Sequence, residues 1–199
     1  MLVAVVALAL AGCGGNSDRA AEPQPVTVTE TVIGSTTVTA PPEVSCSTAG
    51  LRLTLPEQEL PTAVADVRKR VFDAAVACDY ETLEQIALEQ GEGFTFSYGG
   101  GDSAADYWRQ VEEANTEQPL PMRALAAVLA MPYTRNETGS YAWPTAYSEA
   151  PTDDAWQALV DAGLYAPEQV DSMKAGGMYL GYRTAITPEG DWQFFVAGD

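Results

Sequence analysis

The sequence predicts an α+β fold: a single domain of several helices packed on a small, mostly antiparallel sheet that ends in a C-terminal β-hairpin. Three observations predict it. Segments with apolar residues at steps of three and four, bounded by capping residues or prolines, read as amphipathic helices. Short alternating segments between them read as strands. The two kinds do not alternate as strand, helix, strand, so a parallel α/β sheet is not expected.

The elements follow in order. Leu51, Leu53 and Leu55 repeat at period two and predict a short strand or an extended entry to the domain. Pro61 opens a helix whose face is Val64, Val67, Val71, Ala74 and Cys78. Arg68, Lys69 and Arg70 sit there as the densest basic cluster, and three adjacent charges read as a solvated face. Asp79 is the expected N-cap of a second helix, Tyr80 to Gln90, which Gly91 stops. Phe94, Phe96 and Tyr98 alternate as a strand, and Gly99 to Gly101 break it. Asp102 or Ser103 caps a third helix carrying Tyr107, Trp108 and Val111. A fourth helix starts near Pro121, and "GSYAWP" is a short strand ending at Pro144. Thr152, followed by Asp153 and Asp154 in the first turn, caps a fifth helix that Gly163 stops. Pro167 starts a sixth, ended by Gly176. "MYLGYRTAI" and "DWQFFVA" flank the turn "TPEGD" and form the expected terminal hairpin.

The N-terminus is organised differently. Residues 2–11 are Leu, Val and Ala only. The run is too short for a spanning helix, which needs ~20 residues. It fits the apolar core of a secretory signal, ~7–15 residues. It ends on Leu10, Ala11, Gly12 and Cys13. This motif resembles the lipobox of bacterial lipoproteins. The resemblance implies removal of residues 1–12, a diacylglyceryl anchor on Cys13, and a protein held to the membrane of the bacterial cell envelope, facing outside the cytoplasm. No Lys or Arg precedes Arg19, so the basic tip of such a signal is expected upstream of Met1. The competing reading is a buried N-terminal helix with Cys13 as a core thiol.

Residues 13–45 are rich in Thr, Pro, Ser and Gly and lack aromatic residues. They read as a flexible tether, of root-mean-square span roughly 30 Å as a coil. The alternating Val26 to Val32 stretch offers an edge strand as the other reading. The expected organisation is therefore a signal over 1–12, a tether over 13–45 and a globular domain over 46–199.

The formal net charge of −18 argues against nucleic acid, because no basic stripe exists to neutralise phosphates. With Cys13 acylated, Cys46 and Cys78 remain as a pair, and outside the cytoplasm they are expected to form a disulfide. Two buried free thiols are the alternative. The chain contains no His, so triads and Cys–His pairs in their usual form are excluded, and no zinc site closes on two cysteines. "YGGGDS" at 98–103 lies where phosphate loops lie, but lacks the Lys and the Ser or Thr that such a loop needs. No metal, cofactor or catalytic residue is expected. Arg183 is expected to pair with a carboxylate rather than to bind an anionic ligand.

Tyr98, Trp108, Tyr141, Trp143, Tyr179, Tyr182 and Trp192 stand out as aromatics with polar tips, which line ligand pockets, and all of them except Tyr179 are the candidate lining of such a pocket. The same residues also fill ordinary small cores, and that is the favoured reading of them. From Asp79 onward, "CDYETLEQIA", "GFTFSYGG", "YAWP" and "GGMYLGYRTAITPEGDWQFFVAGD" resemble an uncharacterised family of secreted and lipid-anchored bacterial proteins, a resemblance that implies no activity. The "DYE-x-L" type segment also resembles the start of NTF2-like domains, which would imply a curved sheet around a cavity. The expected function is a non-enzymatic binding or envelope-support module. A small-ligand-binding lipoprotein is the alternative, and a carboxylate-dependent enzyme ranks behind both.

Overall fold

Each helix that the periodicity predicts is present in the computed structural model, which describes residues 46–89, 93–115 and 119–198. The signal, Cys13, the tether, its Val26–Val32 segment and the Gly91 stop lie outside the described residues. The helices are α1 (Thr62–Ala77), α2 (Tyr80–Leu88), α3 (Ala104–Ala114), α4 (Pro121–Ala130), α5 (Asp153–Asp161) and α6 (Pro167–Gly176). The strands are β1 (Thr134–Arg135), β2 (Tyr141–Trp143), β3 (Arg183–Ile186) and β4 (Trp192–Val196). They form one antiparallel sheet in the order β1-β2-β3-β4, with β3 and β4 as the C-terminal hairpin. The fold is α+β.

The caps explain the boundaries. Asp79 accepts the Thr82 amide, Ser103 accepts that of Asp106, and Thr152 accepts that of Ala155. Each satisfies one orphan amide at a helix start. Of the two candidates before α3, Ser103 is the cap. Cys78 does not continue the apolar face of α1. It terminates the helix in a left-handed conformation (φ 50°), and the amides of Cys78 and Asp79 return to the carbonyls of Ala75 and Ala74.

The core lies between the helices and one face of the sheet. Helix α1 packs on α4 and α2, α2 on α3, and α4 on β3. Val64, Val71, Leu83, Leu125, Val128, Leu129, Trp108 and Trp192 are among its buried side chains.

Two expectations need correction, and one choice left open by the sequence is decided. Leu51 to Leu55 is not a strand, because it pairs with no other segment among the described residues. Phe94 to Tyr98 contributes only an isolated parallel bridge, Thr95 with Phe194 on the outer edge of β4. The hairpin is shorter than its alternation suggests. Residues 178–182 do not join β3, because a corner forms there in which the Tyr179 hydroxyl donates to the Tyr182 carbonyl and the Tyr182 amide to the Tyr165 hydroxyl.

A bulge in β4 changes which residues face the core. Thr184 stands opposite Phe195 and Ile186 opposite Trp192, so Trp192 and Phe195, three apart, share the helix-facing side. Regular alternation would have put Trp192 on the same face as Phe194. The irregularity between Ala185 and Ile186 in the β3 pairing inserts one residue, and both rings then reach Trp108, each with centroids 6.0 Å away.

Candidate functional site

The aromatic residues named from the sequence do not form one pocket. Trp108 and Trp192 are buried together, and Phe195 connects them to Tyr182 (5.1 Å, stacked). Tyr141 and Trp143 belong to a second cluster around Tyr133. Tyr98 is 56% exposed and stands apart. None of the six lines any of the four surface concavities described on this molecule. The physical reason is core demand: large rings on a four-stranded sheet fill the space between sheet and helices, and their polar tips are satisfied inside. Trp192 Nε1 donates to Thr184 Oγ1 (2.7 Å), and Trp143 Nε1 to Gln58 Oε1 (3.2 Å).

Two cations also depart from expectation. Arg68, read as part of a solvated face, is 3% exposed. Its guanidinium donates to the carbonyls of Leu129 and Pro56 and lies 5.8 Å from the Trp143 ring centroid. Leu129 is in the last turn of α4, where carbonyls lack helical donors, so a buried cation is favoured there. Burial pushes its pKa down to about 10, which leaves it charged at neutral pH. Arg183 makes no ion pair with a carboxylate among the described residues. It donates to the carbonyls of Gly181 and Gly198 and to the Tyr98 hydroxyl, between the rings of Tyr98 and Tyr147. Main-chain carbonyls supply what a carboxylate was expected to supply.

The widest described concavity is an open groove of about 840 Å³. One wall is the β1–β2 turn with Arg135 and Asn136, another is the 147–151 segment with Glu149, and Tyr147, Trp156 and Tyr179 line the rest. Arg135 stacks on Tyr141 at 4.1 Å, which orients its guanidinium without a carboxylate partner among the described residues. Of these three groove aromatics, Tyr179 is in the aromatic set singled out from the sequence, though not among the six pocket candidates, and Tyr147 and Trp156 are not in it. A smaller concavity, about 330 Å³, separates α5 and α6 and is lined by Asp153, Asp154, Asp171 and Lys174. Lys174 Nζ lies 2.7 Å from Asp153 and holds that carboxyl below the usual carboxylate range. An exposed, stabilised carboxylate lacks the desolvation that raises a general acid into its working range.

The most densely bonded polar site is where the described chain begins. Cys46 and Cys78 are joined, with S–S 2.06 Å and Cα–Cα 5.9 Å. Thr48 Oγ1 donates to the Val76 carbonyl (2.8 Å), at the end of α1. The Ser47 amide donates to Glu112 Oε2 (2.9 Å) and its hydroxyl to Oε1 (2.8 Å). Glu112, on α3, is 0% exposed and also accepts the Met122 amide (2.8 Å), the second residue of α4. The Arg123 amide donates to Ser47 Oγ (3.0 Å). Three residues therefore fasten the start of the domain to α1, α3 and α4. The carboxylate replaces the cap that Leu120 cannot provide at the start of α4. Burial, and after it the nearby Glu112 charge, pushes the Tyr80 phenol up to about 12. Sequence reasoning found both cysteines and missed Glu112 and Ser47, because an acidic residue in an acidic chain carries no local mark of burial.

The described residues hold no group of three or more His, Cys, Asp or Glu placed to bind a metal ion, and no helix long and apolar enough to cross a membrane. Fold and joint together define an α+β domain fastened covalently at its N-terminal edge. Comparison with protein-family models, curated proteins and solved structures returned no match to this chain.

Proposed function

We propose that this chain is a lipid-anchored protein of the bacterial cell envelope, held at the membrane by an acylated Cys13, with residues 46–198 acting outside the cytoplasm as a non-enzymatic binding or support module. The observation that carries the reading is the apolar run ending in Leu10-Ala11-Gly12-Cys13. The Cys46–Cys78 bond supports it, since disulfides persist mainly outside the reducing cytoplasm. Two acyl chains suffice for stable anchoring, at ~0.8 kcal/mol per buried CH₂. The partner classes are the membrane itself and an envelope component; the acidic surface disfavours nucleic acid.

A second reading has a specific observation in its favour. The groove of about 840 Å³ lies within the size range of small-molecule sites and combines aromatic edges with an oriented Arg135. Under it the protein is a ligand-binding lipoprotein whose site is the groove rather than the aromatic set named from the sequence.

The test is Cys13→Ala expressed in a bacterial host. The variant is expected in the soluble or unprocessed fraction, without incorporation of labelled palmitate. Unchanged membrane fractionation and labelling would refute the anchor.

A further inference from the structure

We propose that the stretch from Leu51 to Leu55 is a cleavage-tolerant segment. An endopeptidase specific for basic residues cuts it after Arg52, and the two-chain product stays folded and stays joined to the chain that precedes Cys46. Hydrolysis of the Arg52–Leu53 bond consumes one water and leaves a carboxylate on Arg52 and an ammonium on Leu53.

The positions of the cations single out Arg52. Among the described residues, every other Lys or Arg lies in a helix or strand: Arg68, Lys69 and Arg70 in α1, Arg109 in α3, Arg123 in α4, Arg135 in β1, Lys174 in α6 and Arg183 in β3. Arg52 is exposed and lies in a stretch without regular structure. A protease binds its substrate as an extended strand, and exposed irregular segments meet that need with the least local unfolding.

Hydrogen bonding narrows the segment further. Upstream, the Leu51 amide closes a turn onto the Thr48 carbonyl. Downstream, the chain is clamped again. Arg68 donates to the Pro56 carbonyl (2.9 Å), Gln58 bridges Trp143 and the Met131 carbonyl, and the Tyr133 hydroxyl donates to the Glu59 carbonyl (3.0 Å). Between these clamps only Leu53 and Leu55 touch the core, and both are partly buried. A cut after Arg52 therefore leaves each new end held. The upstream end keeps the disulfide, the Thr48 bond to Val76 and the Ser47 bonds to Glu112. In an exterior rich in proteases this arrangement keeps the domain on its tether after a nick. The cleavage chemistry is independent of the proposed lipid anchor; only its benefit rests on that reading.

The experiment is limited trypsin digestion of the purified, non-reduced full chain. Within residues 46–198 the first cut is expected after Arg52. The product should run as one species without reductant and as two with it, and should keep the cooperative thermal transition of the intact protein. Arg52→Gln, an exposed site, should lose that first product. Cys46→Ser/Cys78→Ser should shed the N-terminal piece on native gel filtration once nicked. A first cut at another Lys or Arg of this region, loss of the cooperative transition in the nicked, non-reduced protein, or retention of the piece by the double variant would overturn the proposal. The digestion is done in solution, so a failed Cys13→Ala result leaves it intact.

Discussion

Ser47 and Glu112, 65 residues apart in sequence, meet through two hydrogen bonds of 2.9 and 2.8 Å to one fully buried carboxylate. No cation compensates Glu112 among the described ion pairs, and three donors do so instead. A buried charge is tolerated only when its lone pairs are met.

Glu112→Gln should therefore destabilise the domain by about 2 kcal/mol. If the amide oxygen keeps the Oε1 partners, its NH₂ faces the Ser47 amide, donor against donor. Urea unfolding followed by tryptophan fluorescence measures the change; a variant with wild-type stability would show that the carboxylate is dispensable at the joint.

The disulfide closes a loop with a sequence separation of 32 residues. In the chain-entropy model its removal costs ~3–4 kcal/mol. Cys46→Ala/Cys78→Ala is expected to fall by that amount in denaturant. The unreduced wild-type domain should leave Cys46 and Cys78 unlabelled by a thiol reagent, and labelling of either one would contradict the bond.

Gly181 has no room for a side chain. A Cβ there would lie 2.7 Å from the Tyr165 hydroxyl and closer still to that of Tyr179. Both hydroxyls are committed to the corner that precedes β3, and burial pushes both phenols above their ordinary range. Gly181→Ala should cost about 1–3 kcal/mol, the usual penalty of overpacking. Gly176, the last residue of α6, is the opposite case: a Cβ added there would meet nothing within 4 Å, so Gly176→Ala should gain up to ~1 kcal/mol. Melting the two variants side by side checks the opposite signs.

Asp79 and Glu89 set an acid limb to stability. The Thr82 amide and hydroxyl hold the Asp79 carboxyl below the usual carboxylate range, and Arg70 does the same for Glu89. A carboxyl depressed in the folded state contributes stability above its unfolded value, near 4, and loses that contribution as pH falls through the folded value. Asp79→Asn keeps a neutral cap but cannot titrate. Its stability should fall less than that of wild type between about pH 5 and 2. Parallel curves over that window would remove Asp79 from the acid response.

The helices were legible because each carries its own punctuation. Asp79, Ser103 and Thr152 cap, Pro121 and Pro167 open, and a buried stripe recurs at helical spacing. Strands were less legible because pairing is not a local property. Leu51 to Leu55 alternates yet finds no strand partner among the described residues, whereas Thr134–Arg135 has no pattern and pairs with β2. The candidate site fared as the strands did. A Cys46–Cys78 bond was the expected one of two readings, but the groove residues Tyr147, Trp156 and Tyr179 come from three segments that only folding assembles.

The sequence by itself determined the α+β class, the six helices, the caps Asp79 and Thr152 and the terminal hairpin, because periodicity and capping act over a few residues. The tertiary structure alone decided that Arg68 and Glu112 are buried, that a bulge turns Trp192 and Phe195 to the same face, and that Trp108, Tyr141, Trp143, Tyr182 and Trp192 go to the core while Tyr98 stays exposed. Those outcomes depend on which distant carbonyl, amide or ring arrives beside each side chain, and a linear pattern does not encode that proximity.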